Sequence, residues 1–495
     1  MKKLYTLFFI LPFLFTGCSN DDDGNGQVGF EVGAELAVED FIWDAMNYWY
    51  LWQPDVPNLA DNRFSSQGAY ENFISGFSSP ESLFYNICNR HSNIVGNNNA
   101  IDRFSYITDN YNELLNSQQG IFKTNGVEFG LVLFANSEDI YGYVRYIIPG
   151  SDAASKNIQR GDIFTGVDGQ TLNLNNYIDL LFGSNDTYTL NMADIDNNVI
   201  TPNGQEVTLT KTELTENPVY IAKTIDVSGT KVGYLMYNAF TGDFDNALNA
   251  AFGQFKSEGV TELVLDLRYN PGGSVASAVA LSSMITGQFV NQIFLKAQWS
   301  PKVSKTLSAG DLESRFVSNT RTGQSINSLN LNKVHILALR SSASASELVI
   351  NGLEPYINVI HIGGTTRGKN EFSITLGDNR NTDRAGRPFL IPNNLSGLNP
   401  SHTYAIQPLV GKNENANGNS DYTSGLVPDI ALTEDLSNLG ILGDENEPLL
   451  ARALQEIGGT TGRGFILNPS KPILEVTNSK MFLPTKDNMY IEFEK

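Results

Sequence analysis

The run Arg340-Ser341-Ser342-Ala343-Ser344-Ala345-Ser346-Glu347 gathers four serine hydroxyls between an apolar stretch, Val334-His335-Ile336-Leu337-Ala338-Leu339, and Leu348-Val349-Ile350-Asn351-Gly352-Leu353, which has helical character. A short buried strand that ends in small hydroxyl residues and then opens a helix places one serine side chain and several unbonded N–H groups at the same point. Serine is a poor nucleophile near neutral pH and needs a proton acceptor beside it. The chain holds four histidines, His91, His335, His361 and His402, and two of them, His335 and His361, sit inside apolar runs where they read as core residues. A lysine is the better base. After a helix predicted over 346–356 comes a second apolar run, Val359-Ile360-His361-Ile362, and then Gly363-Gly364-Thr365-Thr366-Arg367-Gly368-Lys369.

Strand, helix and strand in one unit imply a right-handed crossover between parallel neighbours. Ser344 and Lys369 are therefore expected just beyond the carboxyl ends of adjacent strands, where open α/β sheets place their sites. A third loop joins them. Glu262-Leu263-Val264-Leu265-Asp266-Leu267-Arg268 reads as a strand, followed by Tyr269-Asn270-Pro271-Gly272-Gly273 and a small-residue helix from Ser274 to about Ile285. Paired glycines between strand and helix let backbone N–H groups approach a ligand, as an oxyanion hole requires.

Together the Ser-Ala-Ser-Ala-Ser-Glu run, the Gly-Lys pair ending 25 positions after Ser344, and Asp-Leu-Arg-x-Asn-Pro-Gly-Gly resemble the C-terminal processing peptidases, the tail-specific Ser/Lys proteases of family S41. The resemblance implies Ser344 as nucleophile and Lys369 as base. It also implies an oxyanion hole from Gly272 or Gly273 and the N–H of Ala345, and a crotonase/ClpP-like ββα catalytic core within an α/β multidomain chain. One position departs from the pattern: many members carry Gln or Glu four residues after the lysine to orient it, and here that residue is Ser373, with Glu371 nearby. No metal or cofactor signature occurs, so no cofactor is expected.

A chain of 495 residues calls for two or three domains, and 41% hydrophobic content is that of a globular protein. A formal net charge of −21 argues against a nucleic-acid partner. Met1-Lys2-Lys3 and the apolar residues 4–15 form a signal peptide, expected over 1–17. Phe15-Thr16-Gly17-Cys18 resembles a bacterial lipobox with Cys18 as the lipidated residue, and Ser19-Asn20-Asp21-Asp22-Asp23 resembles the acidic export signal of Bacteroidetes surface lipoproteins. These resemblances imply an outer-membrane lipoprotein of the bacterial cell envelope, held by its N-terminal lipid. Cys88 is then unpaired and reads as a small core residue.

In order along the chain, residues 18–34 read as an acidic linker and 35–118 as a small N-terminal helical subdomain. Residues 119–212 resemble the PDZ domain of processing proteases, on Val127–Leu133, Tyr141–Ile148, Pro149-Gly150-Ser151-Asp152-Ala153-Ala154, Arg160-Gly161-Asp162 and Asp168-Gly169. Such a domain binds a peptide as an added strand and captures its terminal carboxylate. Phe129, Gly130 and Leu131 are the candidates for that capture, on a loop before Leu131. The peptidase core is expected over 213–458, with a hairpin insertion at its rim between about 377 and 422, and 459–495 is an extension without assigned function. The functional expectation is a serine endopeptidase acting near the free C-termini of protein or peptide substrates. A non-catalytic tail-binding scaffold on the same fold, and a ligand-binding protein of the crotonase-like class, are the alternatives.

Overall fold

The computed structural model describes residues 30–196, 199–459 and 475–492. The expected signal peptide, Cys18, most of the linker and residues 460–474 lie outside the described residues.

The N-terminal portion is built on α1 (Ala37–Trp49), α2 (Gln67–Ile74), α3 (Pro80–Ile87) and α4 (Tyr111–Gln118). Serines 66 and 79 cap α2 and α3 by accepting from Ala69 and Ser82 N–H, which satisfies donors the helices cannot bond themselves. Helix α1 is buried from Asp40 onward, because its aromatic residues face the other helices on one side and the catalytic portion on the other. Trp49 Nε1 donates to the Pro388 carbonyl at 2.9 Å. Arg380 reaches back to Asp40 and Asp44 at 2.8 and 2.7 Å. This portion shares one continuous apolar core with the catalytic layers.

Next comes a β-rich unit with its own core around Phe129, Leu131, Val144, Phe164, Leu190 and Leu209. Its strands β1 (Val127–Leu133), β2 (Ile140–Ile147), β3 (Ile163–Val167), β4 (Thr187–Asp196) and β5 (Val199–Thr210) lie side by side in chain order. A π-helical turn, Ile178–Phe182, precedes β4. Phe129, Gly130 and Leu131 are interior residues of β1, not a loop. The expected carboxylate-capturing loop is thus a strand, whose residues Gly130, Leu131 and Val132 are the ones another strand pairs with.

The catalytic portion carries two six-stranded sheets. The first has the order β6 (Val219–Val227), β7 (Thr230–Tyr237), β8 (Glu262–Asp266), β11 (Lys333–Ala338), β12 (Asn358–Gly363) and β15 (Ile430–Ala431), antiparallel only between β6 and β7. Its side chains alternate between faces as a strand requires. Leu235, Leu263, Leu265, Val334 and Ile336 pack toward α5 (Asp245–Ser257), α6 (Val275–Thr286) and α7 (Ala345–Leu353), while Met236, Val264 and Leu337 meet α8 (Pro448–Gly458) on the other face. Both faces are covered, which is why these strands read as near-continuous apolar runs. The register pairs Leu265 with Ile336 and Ile336 with His361, bringing three strand ends to one edge.

The second sheet has the order β9 (Gly273–Ser274), β17 (Met489–Tyr490), β13 (Glu371–Ser373), β14 (Leu409–Asn415), β10 (Ile293–Trp299) and the short Glu313–Arg315. Strand β14 comes from the stretch expected to be a rim insertion. It is an interior strand flanked by β13 and β10, with Lys412 opposite both Glu371 and Gln298 and with Leu409 and Val410 buried. The β-rich sheet gains an edge strand, β16 (Glu475–Asn478), paired antiparallel to β1.

Candidate active site

Ser344 sits between β11 and α7 with φ 64° and ψ −114°, a backbone conformation that an L-residue adopts only under constraint. The surrounding bonds supply it. Ala343 N–H and Ser346 Oγ both donate to the Asn270 carbonyl, at 3.2 and 3.0 Å, and Ser342 Oγ donates to the Leu267 carbonyl at 2.8 Å. The serine loop is thereby tied to the glycine loop. Of the four serines in the run, three have structural bonds, Ser341 accepting from Arg145 at 2.8 Å. Of these four, Ser344 Oγ is the one buried without a hydrogen-bond partner among the described residues.

Glu347 joins the serine to the lysine. Its Oε2 accepts from the N–H groups of Ser344 and Lys369 at 2.8 and 2.9 Å, and its Oε1 from Gly368 N–H and Thr366 Oγ1 at 2.6 and 2.5 Å. Burial pushes its carboxyl up from the usual glutamate value, and these four donors counter that. One carboxylate thus fixes two loops whose strands are neighbours in the sheet.

Lys369 is 1% exposed. Burial lowers its ammonium from 10.5 to about 8, against the pull of Asp487, Glu371, Asp102 and Glu347. None of these carboxylates forms an ion pair with it among the described residues; Glu371 is buried with one oxygen unbonded. The ring of Phe104, from the N-terminal portion, lies 5.0 Å from Nζ and shields it. Nζ donates to the carbonyl of Asp487 at 2.6 Å. A lysine of this kind is neutral in an appreciable fraction near neutral pH, and can take a proton from a serine.

The two glycines differ in what their N–H groups do. Gly272 N–H is given to Asn270 Oδ1 at 2.9 Å, so it is not available to an oxyanion, whereas Gly273 N–H points to the carbonyl of Asn488 at 2.6 Å. Ala345 opens α7, so its N–H has no acceptor within the helix. Gly272 is required for a different reason. Its φ is 110°, and a Cβ there would lie 2.6 Å from Ser344 Cβ and 2.4 Å from Asn488 O. Ser373 Oγ does not touch Lys369; it donates to Asn488 Oδ1 at 2.9 Å.

The four histidines are used elsewhere. His402 meets Asp378, His91 the Ser105 carbonyl and His361 the Ala338 carbonyl, while burial lowers His335 to about 4. Cys88 is free and buried.

The model of peptidase family S41 matches residues 231–381, a span that contains Gly272, Gly273, Ser344 and Lys369, and that of the S41 N-terminal domain matches residues 37–106. The chain belongs to peptidase family S41. Among solved structures, this S41 chain is similar to a protein of Bacteroides fragilis assigned to the S41 proteases. The two are 26% identical, with a TM-score of 0.62 over 84% of this chain and 97% of that one. Among curated proteins, it is 25% identical to a carboxyl-terminal-processing protease of Picosynechococcus over 48% of this chain and 53% of that protein. It is 27% identical to a chloroplastic C-terminal processing peptidase of Tetradesmus obliquus over 45% and 46%. The chain thus spans about half the length of the curated relatives it matches.

Sequence reasoning took Glu347 as part of a motif and did not see that it bonds both loops. Its invisibility is physical: three of its four donors arrive from a turn 19 to 22 residues away. Phe104 and the segment around Asn488 were missed as well, since nothing local connects them to the serine.

Proposed function

We propose that this S41 chain is a serine peptidase that hydrolyses peptide bonds near the C-termini of protein chains through a Ser344/Lys369 dyad. The observation that carries this reading is a buried, unbonded hydroxyl on a constrained backbone, tied through Glu347 to a buried lysine lowered to about 8. Lys369 would take the Ser344 proton as Oγ attacks the carbonyl carbon, and return it to the leaving amine. Water then releases the acyl group from Ser344. The N–H groups of Gly273 and Ala345 would bind the oxygen as it gains charge.

Several finer parts belong to the same proposal. The catalytic portion is read as a crotonase/ClpP-like ββα core, and the β-rich unit as a PDZ-like recruiting domain that binds peptide by strand addition alongside β1, the position β16 takes in this structure. Cys18 is read as a lipid anchor to the bacterial outer membrane, which attaches firmly only through more than one acyl chain. The partners are protein or peptide chains and the membrane.

The test is cleavage of an unfolded polypeptide by the mature protein, read by mass, beside Ser344→Ala and Lys369→Ala. Loss of cleavage in both variants supports the dyad. Equal cleavage by wild type and Ser344→Ala would refute it, and an inert wild type that still binds peptides would favour the scaffold.

A further inference from the structure

Residues 475–492 take the course a bound peptide would take. Strand β16 adds antiparallel to the edge of the β-rich sheet, Thr477 opposite Leu131 and Asn478 opposite Gly130. Phe129 N–H donates to Ser479 Oγ at 3.0 Å. The Phe482 ring stacks on Phe182 of the π turn at 3.6 Å and 12°. The segment then enters the catalytic cleft. Lys369 Nζ binds the Asp487 carbonyl and Gly273 N–H the Asn488 carbonyl, both at 2.6 Å, and β17 runs parallel to β9 and β13.

The position of a Cβ on Gly272 would be 2.4 Å from Asn488 O and 2.9 Å from Ser344 Oγ, so this carbonyl lies within about 5 Å of the nucleophile. The Asn488 side chain is read from both ends. Ser373 Oγ donates to its Oδ1 at 2.9 Å, and its Nδ2 donates to Gln407 Oε1 at 2.7 Å. Gln407 is held in turn by Thr375, at 3.0 Å. Ser373, Gln407 and Asn488 are all buried.

We propose that segment 475–492 occupies the substrate's path as a tethered mimic, with Asn488 at the residue whose carbonyl Ser344 attacks, so that the enzyme cleaves after carboxamide residues once the segment leaves. The inference rests on the peptidase reading above and names its substrate class. While the segment is seated, Lys369 Nζ is bonded to the Asp487 carbonyl and Ser344 Oγ has no base, which leaves the bound carbonyl uncut. With a substrate in its place, Ser344 Oγ forms an ester with the carbonyl carbon as the C–N bond breaks. The serine proton passes through Lys369 to the amine, and water hydrolyses the ester. A pocket that bonds both ends of an amide discriminates strongly against an aliphatic side chain, because its own polar groups would be left unpaired.

The experiment introduces a cut site for an unrelated, sequence-specific protease within residues 462–470 of the full chain, releases the segment, and compares peptides carrying Asn or Leu before the scissile bond. Release is expected to raise hydrolysis at least about tenfold, with Asn preferred over Leu by about tenfold or more, and Ser373→Ala should collapse that preference. Added synthetic 475–495 peptide should compete. Unchanged hydrolysis on release, or no preference, overturns the inference while leaving the peptidase reading intact. A second arm needs no catalysis. Labelled 475–495 peptide is titrated onto the released Ser344→Ala protein, and the same peptide with N488L should bind about tenfold more weakly. Rebinding with that difference, in an enzyme inert in every form, sinks the peptidase reading and keeps the path; failure to rebind sinks the path. If the released form loses its fold, N488L in the uncut chain replaces it: activation supports the inference and an unchanged rate overturns it.

Discussion

Two buried polar clusters lie beyond neighbouring strand ends of the same sheet, and they are built on opposite principles. In one, Arg268 follows β8 with no exposure and is fully paired. It meets Asp266 at 2.8 Å, Glu447 at 2.6 Å and Glu434 at 3.2 Å. Arg160 adds a second cation against Glu434 at 2.7 Å, and Glu447 also caps α8 by accepting from Leu450 N–H. In the other, among the described residues, Ser344 Oγ has no hydrogen-bond partner and Lys369 no carboxylate in an ion pair, although both are as deeply buried. Pairing makes the first cluster a clamp between β8, α8 and the β-rich unit. Withholding partners suits the second to the proposed chemistry, at a cost that Glu347 and the ties to Asn270 offset locally.

The contrast breaks most visibly at Ser344. Ser344→Ala is expected to reduce kcat/KM by on the order of a thousandfold or more, while the free energy of unfolding stays within about 1 kcal/mol of wild type. Steady-state kinetics beside urea unfolding would measure both. Removing the charge from the other cluster should do the reverse. Arg268→Leu leaves three buried carboxylates short of a partner and is expected to cost about 3–5 kcal/mol of stability, read from urea denaturation. A loss below about 1 kcal/mol would mean that the clamp is not what holds these layers.

A substitution between these extremes is Glu347→Gln, which keeps the shape but loses the charge that accepts four bonds. It should lower stability by about 1.5–3 kcal/mol and reduce activity together, since the same oxygens position Ser344 and Lys369. Full activity with lowered stability would separate folding from positioning.

The remaining effects are in pH dependence, and their signs differ between the clusters. As the proposed base Lys369 must be neutral, so activity should rise with pH through a limb near 8, and a rate independent of pH between 7 and 9 would contradict the proposal. Because its folded value lies below 10.5, stability also rises with pH between about 8 and 10.5, and Lys369→Met should be more stable than wild type at pH 7, by up to about 3 kcal/mol. Glu434 is the opposite case. Burial pushes its carboxyl up, but Arg160 and Arg268 outweigh this and hold it at about 2. Its contribution is complete above the ordinary glutamate value and is lost as pH falls toward about 2, which an acid titration of stability in wild type and Glu434→Gln would display.

Much of the catalytic portion is legible in the sequence. The two strand–turn–helix units that begin at β8 and β11, and the strand and glycine turn at β12, carry apolar runs of strand length, glycines or serines at the turns and, after β8 and β11, helices of ordinary length, and each of these is a local signal. The stretch from 377 to 422 was misread because an interior strand, β14, is flanked by loops rich in Asn and Gly that look like an insertion. Phe129-Gly130-Leu131 was misread as a loop because a glycine inside a strand gives the same local signal as a turn. The serine run itself did not say which hydroxyl is free, since each is followed by residues that suit a helix start.

The sequence by itself determined that a serine and a lysine follow neighbouring strands and that paired glycines follow a third. Each of those facts depends only on residues a few positions apart, where propensity and periodicity act. Only the tertiary structure decided that Gly273 and not Gly272 offers its N–H, that Glu347 bonds both loops, that Phe104 shields the lysine, and that residues 487–490 lie in the cleft. Those outcomes depend on ring contacts, hydrogen bonds and strand pairings between residues far apart in the chain, 216 positions for Gly273 and Met489 and 265 for Phe104 and Lys369. Such pairings are chosen by the burial of whole layers, and no window of sequence contains both partners.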